Sequence, residues 1–165
     1  MSVEIRTIAS QEEANQVAAL AKEIWTQHYE PLIGLDQVNY MIEKFQSGSC
    51  IYRDISQNGY TYYVAEDGDK MIGYCAVHPE EDKTFLSKIY VHKDYRGQRI
   101  ARRFVELVCG KANARGDRYV YLTVNKENAG SIAAYEAMGF CKVKSICTDI
   151  GSGYVMDDYV MQRDL

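Results

Sequence analysis

The hydrophobic period of this chain changes repeatedly, and those changes restrict the fold more than any other feature. Between Ser10 and Gln57 apolar positions recur every three or four residues, between Tyr60 and Val91 they alternate or run on, and from Gln98 the helical period returns. A helix buries one stripe and a strand one face, so such a chain must build a sheet covered by helices.

Glu4 to Ile8 reads as a first strand. Ser10 and Glu13 have the spacing of a capping box, in which side chains satisfy the orphan amides of a helix start. Val17, Leu20, Ala21, Ile24, Trp25 and His28 then mark one buried face. Pro31 is expected to close this helix and Asp36 to cap a second, with Val38, Met41, Ile42 and Phe45 inward. Ser49 to Gln57 predicts a short third helix stopped at Asn58-Gly59.

Tyr60 to Glu66 and Met71 to His78 flank Asp67-Gly68-Asp69, a hairpin signal. A third strand, Thr84 to Val91, follows the polar turn Glu80-Glu81-Asp82-Lys83. Gln98 to Ala114 predicts a helix with Ile100, Ala101, Phe104, Val105, Val108 and Ala112 on one side and Gly116 as its stop. Tyr119 to Val124 reads as a strand, Ser131 to Met138 as a helix ended by Gly139, and Cys141 to Thr148 and Tyr154 to Gln162 as the last strands. The expected class is α/β of the α+β mixed kind, with a mostly antiparallel sheet of about seven strands flanked by four or five helices. No Pro/Ser-rich linker and no internal repeat interrupts the 165 residues, so one domain over 1–165 is expected.

Composition excludes several classes of function. A formal net charge of −4 leaves no footprint for a nucleic-acid backbone, and no nucleic-acid partner is expected. No apolar run reaches the ~20 residues of a membrane span. Met1-Ser2-Val3-Glu4 lacks the basic and apolar regions of a signal peptide. Cys50, Cys75, Cys109, Cys141 and Cys147 are scattered without a CxxC pair, which predicts reduced, mostly buried thiols in a cytoplasmic protein. His28, His78 and His92 stand far apart, and no metal site is expected.

The stretch from Ile89 to Ala101, Ile-Tyr-Val-His-Lys-Asp-Tyr-Arg-Gly-Gln-Arg-Ile-Ala, joins an apolar strand to an amphipathic helix through a glycine-bearing turn. Amides at a helix start have no partner within the helix, and the helix dipole is positive there, which suits a phosphate. Arg96, Arg99, Arg102 and Arg103 add positive charge in an otherwise acidic chain. A plain strand–helix connection with a solvated basic face would read the same way. Neither a P-loop nor a three-glycine dinucleotide fingerprint is present.

This stretch resembles the coenzyme A motif of the GNAT superfamily of N-acetyltransferases, Arg/Gln-x-x-Gly-x-Gly/Ala, with Arg96 first and Ala101 last. Arg99 replaces the central glycine, which puts coenzyme affinity in question. A later run is similar to a second motif of that superfamily, Asn-x-x-Ala/Ser-x-x-x-Tyr-x-x-x-Gly-Phe, matched at Asn128, Ser131, Tyr135, Gly139 and Phe140. The resemblance covers the chain from about Tyr60 onward.

It implies the superfamily's fold, with the sheet splayed by a bulge at its fourth and fifth strands. It also implies an N-acetyltransferase using acetyl-CoA as cosubstrate. Ile89, Tyr90 and Val91 would face the pantetheine arm, and the turn from Arg96 through Gly97, Gln98, Arg99, Ile100 and Ala101 to Arg102 would face the diphosphate. Asn128 and Ser131 would complete the coenzyme contacts. Tyr135 takes the role of general acid, since a phenol with pKa ~10 holds a proton for a departing thiolate at neutral pH.

Trp25, Tyr29 and Glu30 fall in the region that lines the acceptor side, and Glu30 is one candidate base. Glu80, Glu81, Asp82 and Asp149 are others. The run Asp157-Asp158-Tyr159-Val160-Met161 and the helical N-terminal part resemble bacterial polyamine acetyltransferases of the spermidine/spermine type. That makes a small-molecule amine the expected acceptor and a homodimer the default assembly. A protein N-terminus or lysine as acceptor, or a non-catalytic acyl-CoA sensor, remains an alternative.

Overall fold

The computed structural model describes residues 3–165, so the Met1-Ser2 start of the signal-peptide reading lies outside it. The elements are β1 (Val3–Thr7), α1 (Gln11–Ile33), α2 (Leu35–Phe45), α3 (Gly48–Gln57), β2 (Thr61–Asp67), β3 (Lys70–Pro79) and β4 (Lys83–Val91). A 3-10 turn (Lys93–Tyr95) precedes α4 (Ile100–Arg115), β5 (Tyr119–Asn125), α5 (Ala129–Ala137), β6 (Cys141–Gly151) and β7 (Tyr154–Asp164). The seven strands form a mixed sheet in the order β1-β2-β3-β4-β5-β7-β6. The mixed α/β expectation holds. The chain divides into two compact units, one running to His78 and including Lys88–Phe104, the other comprising Pro79–Ser87 and Val105–Leu165.

In the first unit β1 pairs antiparallel with β2 (Ile5↔Ala65), and β2 with β3 through a turn in which Gly68 has φ 61. The helices bury the predicted face: Val17, Ala21, Ile24 and Trp25 of α1 are at most 3% exposed. Burial of the larger aliphatic side chains Val17 and Ile24 contributes roughly 1.5–3 kcal/mol each relative to exposure.

A chain of buried polar groups fixes the packing. Trp25 Nε1 donates to Tyr74 Oη (3.0 Å), Tyr74 Oη donates to Gln46 Oε1 (2.7 Å), and Gln46 Nε2 donates to Tyr62 Oη (3.1 Å). Burial pushes the Tyr74 and Tyr62 phenols well above their ordinary range, so both remain neutral. Tyr74→Phe strands a donor and an acceptor, and is expected to cost about 2–6 kcal/mol at ~1–3 for each orphaned group. A denaturation midpoint equal to wild type would refute this.

The start of α1 carries the capping box: Ser10 Oγ accepts from the Glu13 amide, and Glu13 Oε1 accepts from the Ser10 amide. Arg6 also pairs with Glu13, and its hydrogen bond is the main reason the Glu13 carboxyl falls from 4.5 to about 2. A depressed carboxyl stabilises the fold above its unfolded pKa, and that contribution is lost as pH falls through the folded value. Glu13→Gln should therefore melt below wild type at neutral pH, with the gap closing as the pH falls from 4.5 towards 2. A gap independent of pH would contradict the assignment.

In the second unit β4 runs parallel to β5 over Lys83↔Tyr119, Thr84↔Val120 and Phe85↔Tyr121. β5 then pairs antiparallel with β7, and β7 with β6. β5 alternates, with Val120, Leu122 and Val124 inward, and Phe140 and Met161 are at most 1% exposed. Asp117, 6% exposed, accepts from Thr84 Oγ1 (2.6 Å) and from Arg115 Nη1 (3.3 Å), tying the end of α4 to the start of β4.

Four expectations need correction. α1 runs through Pro31 to Ile33, because a proline in the last turn forfeits only one helical bond; the stop is Gly34 (φ 85), whose amide bonds Glu30 O. Asp36 lies inside the first turn of α2, since the capping position is Gly34. Asn128, not Ser131, starts α5, its Oδ1 accepting from the Ser131 amide. Only Cys75 and Cys109 are buried, because Cys141 and Cys147 lie on β6, the last strand of the sheet order, and Cys50 is half-buried.

Candidate active site

The turn after β4 belongs to the first unit, and its backbone explains why its sequence contains glycine. Gly97 and Arg99 both have left-handed backbone, with φ 79 and 63. That conformation delays α4 to Ile100, two residues later than the periodicity predicts. Arg103 N bonds Arg99 O at 3.0 Å, so the amides just before it have no partner within the helix and open toward the turn. The N-terminal end of the dipole adds to their pull on an anion.

Arg99 thus adopts the conformation that a glycine would supply. A non-glycine residue in this region carries strain of order 1–2 kcal/mol, partly offset by the larger unfolded-state entropy of glycine. Arg99→Gly is accordingly expected to stabilise the protein by up to about 1 kcal/mol, read as a higher denaturation midpoint. A lower midpoint would mean that the arginine side chain is held by contacts that compensate for the strain.

The turn is pinned on several sides. His92 is 5% exposed; its Nδ1 accepts from the Asp94 amide (3.1 Å) and its Nε2 meets Glu23 Oε1 at 2.8 Å. Because Nδ1 accepts, the ring proton sits on Nε2 and is donated to the carboxylate. Tyr95 Oη donates to Asp67 Oδ2 (2.9 Å), fastening the 3-10 turn to the β2–β3 hairpin. The His92 amide bonds Ile72 O (2.7 Å). Arg96, Arg99 and Arg102 are exposed, whereas Arg103 donates through Nη1 to Val3 O (2.8 Å).

Upstream of the turn, Ile89, Tyr90 and Val91 form the end of β4. Gly73 of β3 lies so close to it that a Cβ there would meet Tyr90 O at 2.9 Å. The residues assigned to the acceptor side also lie in this unit. Trp25 is buried and locked to Tyr74, the Tyr29 hydroxyl lies 2.8 Å from that of Tyr90, and Glu30 is exposed. His28, half-buried beside Tyr29, has its pKa lowered first by burial and then by the positive charge of Arg96.

The second unit holds the other group of residues. Asn128, 6% exposed, is fixed by its amide to Asn125 O (3.0 Å) and by its side chain to Ser131. Tyr135, half-buried on α5, packs edge-on to Phe140 at 5.9 Å between ring centroids. Of the carboxylates considered as bases, Glu80 accepts from Tyr121 Oη, Asp82 pairs with Arg118 (2.8 Å) and Asp149 accepts from the Gly151 amide (2.8 Å); Glu81 is exposed. Among the described residues no cluster of His, Cys, Asp and Glu could hold a metal ion, and no helix is long and apolar enough to cross a membrane.

The sequence reading missed Gly73, the Tyr29–Tyr90 pair and the two anchors His92 and Tyr95. Gly73 offered a signal, an isolated glycine within a strand. The others did not, because the Tyr29–Tyr90, Glu23–His92 and Asp67–Tyr95 contacts join residues remote in sequence.

The acetyltransferase (GNAT) family model matches residues 17–140. N-acetyltransferase 8 of Homo sapiens is 28% identical over 133 residues, covering 74% of this chain and 52% of its own. The ribosomal protein bS18-alanine N-acetyltransferase of Escherichia coli (strain K12) is 30% identical over 81 residues, covering 49% and 55%. The chain thus spans about half the length of these curated relatives. A PaiA N-acetyltransferase from Thermoplasma acidophilum, crystallised with coenzyme A, superposes with a TM-score of 0.83 at 20% identity, covering 100% of both chains.

Proposed function

Because the chain belongs to the acetyltransferase (GNAT) family, we propose that it transfers the acetyl group of acetyl-CoA to a primary amine, with residues 1–165 acting as one catalytic domain. The observation that carries this reading is the turn at Gly97 and Arg99. Two left-handed positions, Gly97 and Arg99, stand one residue apart just before α4, where the first amides of a helix lack partners within it, an arrangement that suits a diphosphate.

In this reading Ile89, Tyr90 and Val91 present backbone groups to the pantetheine arm, and a β4 amide polarises the thioester carbonyl. Arg96, Gly97, Gln98, Arg99, Ile100, Ala101 and Arg102 surround the diphosphate, with Asn128 and Ser131 among the coenzyme contacts. The neutral amine attacks the carbonyl carbon directly, and Tyr135 gives its proton to the sulfur as the C–S bond breaks. Loss of the Arg99 guanidinium should weaken acetyl-CoA binding roughly tenfold, the scale of one charge-assisted hydrogen bond. An unchanged affinity in Arg99→Gly would leave the coenzyme to the backbone alone.

For the acceptor we favour a polypeptide α-amine over the polyamine-like small molecule. The support is the E. coli relative, whose name states a protein alanine as its acceptor. The experiment is a thiol-release assay with acetyl-CoA and a panel of alanine- and serine-initiated peptides, lysine peptides and spermidine, preceded by calorimetry with acetyl-CoA alone. Saturable heat and thiol release with the N-terminal peptides are expected. No heat at millimolar acetyl-CoA would refute the coenzyme reading, and preferential release with spermidine would return the acceptor to the small amines.

A further inference from the structure

An amine reaching this site at neutral pH carries one proton too many, since α-amines have pKa ~7.7–8 and side-chain amines ~10. The carboxylates considered as bases are exposed or already hydrogen-bonded, as described. We propose that the paired hydroxyls of Tyr29 and Tyr90 accept this proton and relay it to solvent, which makes Tyr90 a catalytic residue and Tyr29 its relay partner. The inference rests on the acetyl-transfer reading and deepens it.

Three features of the first unit carry the proposal. Tyr90 lies in the stretch of β4 that the acetyl-transfer reading assigns to the pantetheine arm. Its hydroxyl is 2.8 Å from that of Tyr29 on α1, a distance that permits direct proton exchange, and both residues are half-buried.

The rings are also held in place. Trp25 lies 5.4 Å from the Tyr90 ring and 5.6 Å from the Tyr29 ring, and Tyr74 lies 5.6 Å from the Tyr90 ring. Trp25 and Tyr74 are themselves fixed by the buried hydrogen-bond chain to Gln46. A relay needs such preorganisation, because each transfer requires donor and acceptor already in line.

The proton balance closes without a further reactant. With Tyr90 donating to Tyr29, the lone pairs of the Tyr90 oxygen receive a proton as an N–H bond of the ammonium breaks. The original proton of Tyr90 passes to the Tyr29 oxygen, and that of Tyr29 passes to water. Both phenols end neutral, and the nitrogen keeps its lone pair for attack. Among the described residues the titratable side chains packed against the pair include His28 and the neutral phenol of Tyr74, and the charge of Arg96 acts on His28. His28, 4.8 Å from the Tyr29 ring between centroids, is kept neutral by burial and by Arg96, so it adds no charge opposing the departing proton.

The test compares wild type, Tyr90→Phe and Tyr29→Phe in thiol release from acetyl-CoA between pH 6 and pH 10, with an alanine-initiated hexapeptide and, separately, spermidine as acceptors. Tyr90→Phe should lower kcat about a hundredfold at neutral pH, within the usual range for a lost acid–base group, and Tyr29→Phe roughly tenfold. The KM for acetyl-CoA should stay within about twofold, because Tyr90 is assigned to the coenzyme through its backbone groups, which both variants keep. The loss should shrink at alkaline pH, where the free amine is already neutral, so the rising limb of the profile shifts upward. A purely structural role would give a loss independent of pH. Wild-type kcat in Tyr90→Phe, or a uniform loss across pH, would overturn the relay while leaving acetyl transfer intact. No thiol release by wild type with either acceptor would refute the acetyl-transfer reading, and the relay with it.

Discussion

Tyr135→Phe is expected to lower kcat about a hundredfold while leaving acetyl-CoA affinity and the denaturation midpoint nearly unchanged. The thiolate of coenzyme A leaves more readily when it is protonated as it departs, and a phenol keeps its proton through the neutral range. Tyr135 occupies the tyrosine position of the family's second motif and sits near the end of α5, a helix anchored at its start by Asn128 and Ser131.

The ring is held by packing against Phe140, and its carbonyl accepts the Phe140 amide (3.0 Å). Both contacts survive in phenylalanine, so a fall in kcat would report the hydroxyl alone. Steady-state kinetics with calorimetry for acetyl-CoA separates the two properties. A variant with wild-type kcat would exclude Tyr135 as the acid. A variant with weakened coenzyme binding would reassign its hydroxyl to the ground state.

Gly73→Ala is expected to destabilise the protein by about 1–3 kcal/mol and to raise the KM for acetyl-CoA roughly tenfold. The new Cβ would lie 2.9 Å from Tyr90 O, with Phe104 Cε2 and Val91 Cα each at 3.5 Å. Two of these three neighbours are backbone atoms, so the clash cannot be relieved by a rotamer change. β4 has to move at the residues assigned to the pantetheine arm. Stability and coenzyme binding should therefore fall together, unlike in Tyr135→Phe. Chemical denaturation and KM for acetyl-CoA read the two effects, and a variant that loses stability at unchanged KM would detach Tyr90 and Val91 from the coenzyme.

Much of the local structure was legible because its causes are local. The capping box at Ser10 and Glu13 lies within one helical turn, and the β2–β3 hairpin follows from Gly68 at φ 61. The glycines that end α4 and α5, Gly116 and Gly139, have φ 86 and 93. The errors fell where a local signal met a weak penalty. Pro31 is a helix breaker in mid-helix, yet it costs little in a final turn. Gln98 fits the helical period, but the left-handed Arg99 behind it postpones the helix.

Sequence alone determined the order of elements, the capping box at Ser10 and the glycine turns, and the two motifs that resemble those of its family. Each depends on residues a few positions apart, within reach of periodicity and capping chemistry. Only the tertiary structure decided the contacts around the candidate site. Tyr29 and Tyr90 are 61 residues apart, Glu23 and His92 are 69 apart, and Gly73 meets the Tyr90 carbonyl through the approach of one strand to the next. Contacts of that kind close long loops, and side-chain period says which face a residue occupies without saying which remote residue will stand opposite it.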